Sequence, residues 1–244
     1  MNRILEIQGL RALAALLVVL YHADFAPGGF IGVDIFYVIS GYLITGLILR
    51  QIEETGSLNL KNFYHRRIKR LLPASVLVLI ITAAISYLIL PPIGRAELGR
   101  NVLAVGLLVS NYAFAAWETD YQNLGANPSA LVHYWSLAVE EQFYLIWPIF
   151  ILVISKMGLK KIKLAISSVF VISLLFSIWQ TQSSSILAFY SLHTRAWELA
   201  AGALILFIPK SFSSKLVKYQ QVLFLVGLGL IGYAITFFNS QTPF

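Results

Sequence analysis

Long, continuous apolar segments recur along the whole chain, and they constrain its fold more than any other feature. Each runs for about 16–21 residues, close to the length that an α-helix needs to cross the hydrocarbon core of a bilayer. Membrane-spanning β-strands would instead show segments of about ten residues with alternating polarity. The sequence therefore predicts an all-α, polytopic transmembrane helical bundle that forms a single domain over residues 1–244.

The composition agrees with a membrane protein and excludes several other classes. Hydrophobic residues make up 58% of the 244 positions and charged residues only 12%, whereas soluble domains carry about 25% charged residues. The chain has no cysteine, which excludes disulfides, cysteine-ligated zinc and a cysteine nucleophile, and no other metal-ligand spacing occurs. The formal charge of +7 does not indicate nucleic-acid binding, because the basic residues flank apolar segments.

Seven segments are long and apolar enough to be predicted as membrane spans. They cover residues 8–24, 30–50, 72–90, 134–154, 164–181, 193–208 and 220–238. The first is expected to be a retained helix and not a cleaved signal peptide. His22 and Asp24 stand where a small-residue cleavage site would otherwise lie.

The basic residues predict which ends of these spans share the cytoplasmic side. Almost all of the 18 lysines and arginines fall near the N-terminus or in three segments, 50–70, 156–163 and 210–218. Three apolar segments lie between the basic segments 50–70 and 156–163. An odd number of crossings cannot return the chain to the same side, so one of the three should not span the membrane. The weakest, 102–117, carries Ser110 and Asn111 in its middle, so we expect a re-entrant or interfacial helix on the outer side. The seven remaining crossings place the C-terminus outside.

Two ionisable residues lie on one face of the first predicted span. Arg11 and His22 are eleven residues apart, which is about three helical turns and roughly 16 Å. Arg11 is thus expected near the cytosolic edge and His22 near the outer edge. Taken singly, each has a structural explanation, as a snorkelling arginine and as a headgroup-level histidine bonded to a carbonyl. Because ionisable residues inside spans cost free energy, their shared face favours a functional site.

The segment "KNFYHRRIKRLLP" places several cations just before the third span. Arg67 and Arg70, three residues apart, share one face of a short helix, and Arg66 stands beside them. Such a segment often serves only as a topology anchor or a contact for anionic lipids. Arginine also binds phosphates with two parallel hydrogen bonds, so a nucleotide-bearing cofactor in the cytosol would suit this segment.

The segment "LVHYWSLAVEEQFYLIWP" carries two adjacent carboxylates in a predicted span. His133 and Glu140 are seven residues apart and nearly aligned on one helix face, and Glu141 points about 80° away. One alternative is a structural ion pair with an arginine of another helix. Adjacent carboxylates inside a span are uncommon, however, and this favours a functional site.

Two further sets of ionisable residues have simpler explanations. Arg195 and Glu198 are three residues apart and are predicted to form an ion pair that braces the bundle. Asp34 lies in the first turn of the second span, where the helix dipole favours an acid. The glycine-rich turn before it would bring Asp34 close to His22, and a histidine–aspartate pair is a usual way to orient a base.

Three segments together resemble the bacterial membrane acyltransferase-3 family, in particular its O-antigen and peptidoglycan O-acetyltransferases. They are "IQGLRALAALLVVLYHADFAPGGFIGVDIFYVISGYLIT", "FYHRRIKRLLPA" and "HYWSLAVEEQFYLIWP". The resemblance extends over essentially the whole chain, in order and at the family's spacing. Relative to the family the chain is short at its C-terminal end, where family members usually continue with further helices.

The resemblance implies roles for the residues that match the family's motifs. The motifs fall on Arg11 with His22, on Arg67 with Arg70, on Trp135, Ser136 and Glu140, on Asp34, and on Ser40, Gly41 and Tyr42. The expected catalytic residues are His22, Asp34 and Glu140, and the expected acyl-donor-binding residues are Arg11, Arg67 and Arg70. The supporting residues, drawn from the motifs and the patterns above, are Arg66, Ser40, His133, Trp135, Glu141, Arg195 and Glu198.

The resemblance also implies an activity. Such a protein takes an acetyl group from cytosolic acetyl-CoA and passes it to a hydroxyl of an envelope polysaccharide or lipid-linked glycan. Acetyl-CoA would be a co-substrate, no bound cofactor is expected, and the location would be the bacterial cytoplasmic membrane. His22 would act as a general base on the acceptor hydroxyl or as a transient acyl carrier, and Asp34 or Glu140 would orient it.

Two alternatives to this activity are compatible with the sequence. A transporter or flippase for an envelope precursor would also place ionisable residues inside spans, although no inverted repeat is evident. A non-catalytic remnant that partners a full-length homologue is the second. The expected partners are the bilayer and a glycan acceptor but no nucleic acid, with a homo-oligomer or another chain to supply the missing helices.

Overall fold

Helices account for the regular structure of the described part of the chain. The computed structural model describes residues 5–120, 128–239 and 242. Over these residues it contains eleven α-helices and no β-strand, so the all-α prediction is confirmed. The helices are α1 (Leu5–His22), α2 (Ile31–Thr55), α3 (Leu60–Ile89), α4 (Pro92–Gly106), α5 (Ser110–Thr119), α6 (Tyr134–Ser155), α7 (Leu159–Ser183), α8 (Ser185–Tyr190), α9 (Leu192–Leu204), α10 (Lys210–Val217) and α11 (Gln220–Phe237), and a 3₁₀ turn (Ile205–Phe207) follows α9.

Six of the described helices have the length and composition of membrane spans, namely α1, α2, α3, α6, α7 and α11. The shortest of them have 18 residues. At the rise of an α-helix this is about 27 Å, close to the thickness of the hydrocarbon core. Their outward faces are apolar, as the exposed Leu77, Ile80 and Leu88 of α3 illustrate. The chain is therefore a multi-pass membrane protein.

The sixth predicted span, 193–208, is wrong as a helix of membrane length. The α-helix at this position, α9, has 13 residues, about 20 Å, and its continuation is a single 3₁₀ turn. The sequence pattern overestimated its length because apolar residues continue to Ile208, after the α-helix has ended. The apolar residues of α9 contact protein, since Leu199, Ala200 and Ala203 are fully buried.

The short helix α9 lies beside α2 and runs in the same direction. Near its start, Arg195 contacts Asp34 in the first turn of α2. Just beyond its end, the side chain of Leu206 lies beside Gly46, three turns further along α2. On another side α9 packs against α7, where Ser173 Oγ donates to the His193 carbonyl at 2.7 Å. The chain thus runs back along α2, in the direction that the positions of the basic segments predicted.

The weak apolar segment 102–117 does not form one continuous helix. It is divided between α4 and α5 by a turn in which Leu108 has a φ of 59°. The polar residues at this break are satisfied inside the protein: Ser110 Oγ donates to a backbone carbonyl of α6 at 3.1 Å, and Gln142 Nε2 donates to Asn111 Oδ1 at 2.9 Å. The interruption therefore follows from side chains that bond to neighbouring helices.

The close approach of α2 and α9 depends on two glycines, which leads to a prediction. A Cβ on Gly41 would lie 1.8 Å from the Leu199 carbonyl oxygen, and one on Gly202 would lie 1.9 Å from the Val38 carbonyl oxygen. Because backbone atoms cannot move aside as a flexible side chain can, Gly41→Ala and Gly202→Ala should each lower the free energy of unfolding by about 1–3 kcal/mol. Thermal unfolding of the purified protein in detergent measures this effect.

The matched control for these variants is Gly46→Ala in the same helix. A Cβ at this position would lie 3.5 Å from the side chain of Leu206, which is an ordinary van der Waals contact. Its midpoint of unfolding should not fall. Equal destabilisation of all three variants would contradict the packing described here.

Candidate active site

His22 is the last residue of α1, and its side chain is exposed. Its ring Nδ1 lies 2.8 Å from the carbonyl oxygen of Val18, one turn earlier in the helix. Because a carbonyl oxygen can only accept a hydrogen bond, Nδ1 carries the hydrogen and the lone pair of Nε2 in the neutral ring is available. The last turn of α1 thus gives the imidazole the tautomer that a general base acting through Nε2 needs.

The structure corrects the expected pair between His22 and Asp34. Oδ1 of Asp34 lies 2.5 Å from Nη1 of Arg195, whose side chain is buried. The sequence could not show that α9 brings a guanidinium to the first turn of α2. A buried cation without a carboxylate is strongly unfavourable, whereas the exposed ring of His22 is already oriented by a carbonyl. Asp34 therefore neutralises Arg195.

The predicted ion pair between Arg195 and Glu198 is confirmed, and it belongs to a larger buried cluster. The Nη1 of Arg195 lies 3.1 Å from Oε1 of Glu198, and both side chains are 1% exposed. The Nε of Arg195 donates to the Phe189 carbonyl at 2.8 Å, and the guanidinium lies 5.3 Å from the centroid of a Trp135 ring. Arg195 thus joins α9 to α2, α6 and α8, as expected of a brace.

Glu140 bridges α6 and α2. Its carboxylate accepts short hydrogen bonds from the hydroxyls of Ser40 and Tyr144, and these two hydroxyls are themselves 3.1 Å apart. The guanidinium of Arg67 lies over the ring of Tyr144 at 5.1 Å. The sequence did not predict this contact between Glu140 and Ser40, which also places Glu140 beside Arg67 of α3.

The structure brings together the three arginines that were predicted to bind the acyl donor. The charges of Arg70 and Arg11 both act on the guanidinium of Arg67, so the three side chains lie within electrostatic range of one another although they come from two helices. Arg66 points elsewhere: its Nη2 lies 3.5 Å from Oε1 of Gln51 on α2. The cluster of Arg11, Arg67 and Arg70 is a site of concentrated positive charge at one end of the bundle.

A groove between α3 and α6 begins at this cluster. Arg67 lines a cavity of about 340 Å³ together with Glu141, Tyr144 and several apolar residues of α3. Glu141 also lines a smaller cavity of about 70 Å³, which lies between the next turns of α3 and the first turns of α6. Glu140 and Glu141 therefore face different surroundings, as their angular separation on the helix predicted.

A third cavity, of about 430 Å³, lies at the other end of α1, and we call it the His22 cavity. Its ionisable lining residues are His22 and Glu118. Its aromatic lining residues are Tyr21, Phe30, Phe114, Trp117, Trp135, Phe189 and Tyr190. The cavity therefore combines an available imidazole, a carboxylate and many ring faces.

Glu118 and Tyr190 are residues of this cavity that the sequence did not single out. Burial and the nearby negative charge of Glu118 raise the pKa of Tyr190 well above its usual value, so the carboxylate and the phenol lie close together. The only signal in the sequence is a Trp117–Glu118 pair that follows an apolar segment. Such a pair is equally typical of a membrane interface, so it could not be recognised as part of a site.

His133 lies at the same end of the bundle as His22. It immediately precedes α6. Desolvation of the ring, together with the nearby charge of His22, lowers the pKa of His133 below its usual value. Its partner in the predicted alignment, Glu140, lies two turns further along α6 beside the basic cluster. The two residues share a helix face but lie about 10 Å apart along it, with His133 near His22 and Glu140 near Arg67.

Comparisons with known proteins identify relatives over nearly the whole chain. The sequence profile of the acyltransferase-3 family, described as an acyltransferase domain, matches residues 4–244. The chain is 42% identical over 210 residues to the peptidoglycan O-acetyltransferase OatA of Listeria monocytogenes, covering 83% of this chain and 33% of that protein. It is 35% identical over 237 residues to the O-acetyltransferase OatA of Staphylococcus aureus, covering 94% of this chain and 39% of that protein. No solved structure matches.

These relatives are considerably longer proteins, and the chain spans between 33% and 39% of their lengths. The profile covers the chain from its first helix to its last residue, and the expected motifs fall on the helices described above. The chain belongs to the acyltransferase-3 family of membrane proteins.

Proposed function

We propose that the chain is a membrane O-acyltransferase of the bacterial cytoplasmic membrane, which moves an acetyl group from cytosolic acetyl-CoA to a hydroxyl of an envelope glycan. The observation that carries this proposal is the arrangement around α1. Arg11 joins a cluster of guanidinium groups near one end of the helix, and His22 presents an available Nε2 to a cavity at the other. The names of the two relatives, both O-acetyltransferases, support the type of reaction.

The arginine cluster supplies what a coenzyme A thioester requires. The coenzyme is an anion with several phosphates, and arginine binds phosphate with geometrically fixed, charge-assisted hydrogen bonds. The side chain of Arg67 is partly buried, and its guanidinium stacks over the ring of Tyr144, so the guanidinium is held in place before the donor arrives. Preorganised groups of this kind lose less entropy on binding.

His22 supplies the proton transfer. As the acceptor hydroxyl oxygen attacks the carbonyl carbon of the thioester, its proton passes to Nε2 of His22. A carbon–oxygen bond forms, the carbon–sulfur bond breaks, and the imidazolium returns the proton to the leaving thiolate. The products are an acetyl ester of the glycan and coenzyme A with a free thiol, and His22 regains its starting form.

Mass spectrometry of envelope polysaccharides tests the proposed function. Cells that lack the protein are compared with cells complemented by the intact protein and with cells that carry the His22→Ala variant. The intact protein should add acetyl groups to one glycan, and the variant should not. A transporter would move a precursor without covalent change, so an unchanged mass with the protein present in the membrane would contradict the proposal.

The donor site leads to a separate prediction for Arg67. Arg67→Ala should raise the KM for acetyl-CoA by about 10–100-fold, because a lost hydrogen bond to a charged group corresponds to about 1.5–3 kcal/mol. The KM of Arg67→Lys should lie between the values of the intact protein and of Arg67→Ala, since lysine keeps the charge but loses the fixed geometry. Initial rates of acetyl transfer in membrane vesicles, measured against acetyl-CoA concentration, provide the constants.

Lys61→Ala is the matched control for this experiment. Lys61 is an exposed cation in the first turn of α3, two turns before Arg67. Its removal changes the net charge equally but leaves the cluster intact, so the KM should stay close to that of the unchanged protein. A similar increase in both variants would indicate a general electrostatic effect and not a donor site.

A further inference from the structure

We propose that the His22 cavity is the acceptor subsite, that it binds a single sugar ring, and that Glu118 positions the hydroxyl that reacts. This inference rests on the proposed acyl transfer and names the place of its acceptor. The cavity contains the exposed imidazole of His22, so an acceptor bound there would lie against the proposed base.

The lining of the cavity matches the chemistry of a sugar ring. A pyranose has two faces made of C–H groups, which stack on aromatic rings, and a rim of hydroxyls. Trp135 offers a fixed platform, since its ring centroid lies 4.5 Å from that of Phe189 and 5.2 Å from that of Tyr190. Trp117 lies on the wall of the same cavity.

Glu118 provides the polar contact that such a platform lacks. A carboxylate has two oxygens that accept hydrogen bonds from hydroxyl groups, and Glu118 lines the cavity, so it can hold an acceptor hydroxyl there. The side chain of Glu118 is exposed, as is that of His22, so both are accessible to an acceptor that arrives from water.

Charge and size distinguish this cavity from the donor site. The carboxylate of Glu118 would repel the phosphates of coenzyme A, and Arg11 lies roughly 16 Å away along α1. A volume of about 430 Å³ lies within the range of about 300–1,000 Å³ of small-molecule sites. The nucleotide of the donor therefore stays at the arginine cluster, and the neutral, hydroxyl-rich acceptor occupies the His22 cavity.

Kinetics with both substrates tests the assignment. The probe is a soluble oligosaccharide of N-acetylglucosamine, chosen because one relative is named a peptidoglycan O-acetyltransferase. Glu118→Ala and Trp117→Ala should each raise the KM for this oligosaccharide by about 10–100-fold and leave the KM for acetyl-CoA unchanged. Glu53→Gln, an exposed glutamate near the opposite end of the bundle, is the control and should change neither constant.

Binding without turnover provides a second readout. Because two tryptophans line the cavity, titration with the oligosaccharide should change the tryptophan fluorescence of the purified protein in a saturable way, and Glu118→Ala should weaken this binding by a similar factor. No saturable change, or an unaltered oligosaccharide KM in Glu118→Ala, would overturn the subsite. If the intact protein binds the oligosaccharide but acetylates no glycan, the proposed function fails while the sugar site stands.

Discussion

Arg195→Met is expected to destabilise the protein strongly. The variant leaves Asp34 and Glu198 in the bundle without the cation that both contact, and Glu198 is only 1% exposed. Removal of one partner from a buried ion pair typically lowers the free energy of unfolding by about 3–5 kcal/mol, because an uncompensated charge stays behind. Denaturation in detergent, followed by helical circular dichroism, would show the lower midpoint.

The explanation by uncompensated charge has its own test. The triple variant Asp34→Asn, Arg195→Met, Glu198→Gln removes all three charges and should recover much of the lost stability. Arg50→Met removes an arginine from the exposed pair with Glu54, whose side chains are 61% and 57% exposed, and should leave the midpoint unchanged. If the triple variant were as unstable as Arg195→Met, lost packing and not charge would be the cause.

His22→Ala is expected to reduce acetyl transfer by about 10²–10⁴-fold, the contribution typical of a positioned general base. Stability and abundance should not change, because the ring is exposed and its hydrogen bond is local to the last turn of α1. The rate is measured in membrane vesicles with labelled acetyl-CoA, and the amount of protein is measured in the same vesicles.

His65→Ala is the matched control, since His65 is also an exposed histidine but lies in α3. It should transfer acetyl groups at close to the normal rate. A His22→Ala variant with full activity would remove His22 from the mechanism. Loss of the protein from the membrane, in contrast, would show that His22 is needed for folding.

The number and type of the helices could largely be predicted from the sequence, because the bilayer imposes a length that apolar segments must meet. Six of the seven predicted spans correspond to helices of sufficient length. The exception, α9, is apolar for a different reason: it is surrounded by other helices and need not reach both surfaces. Hydropathy alone does not distinguish burial in protein from contact with lipid.

The candidate site also has features that the sequence could predict and features that it could not. Spacing along single helices was enough to predict that Arg67 and Arg70 share a face and that Arg195 pairs with Glu198, because helical geometry is local. The partners of Asp34 and Glu140 depend on which helices meet, and a sequence does not contain those distances.

What the sequence by itself determined is therefore the membrane-spanning helical class, the family motifs and the polar residues on each helix. Only the tertiary structure decided that α9 passes α2 at Gly41 and Gly202, which assigns Asp34 to Arg195 and not to His22. It also placed Glu118 and Tyr190, which are 72 residues apart, in one cavity with His22. The physical reason is that helix periodicity is set by local hydrogen bonds, whereas contacts between helices arise from packing over the whole bundle.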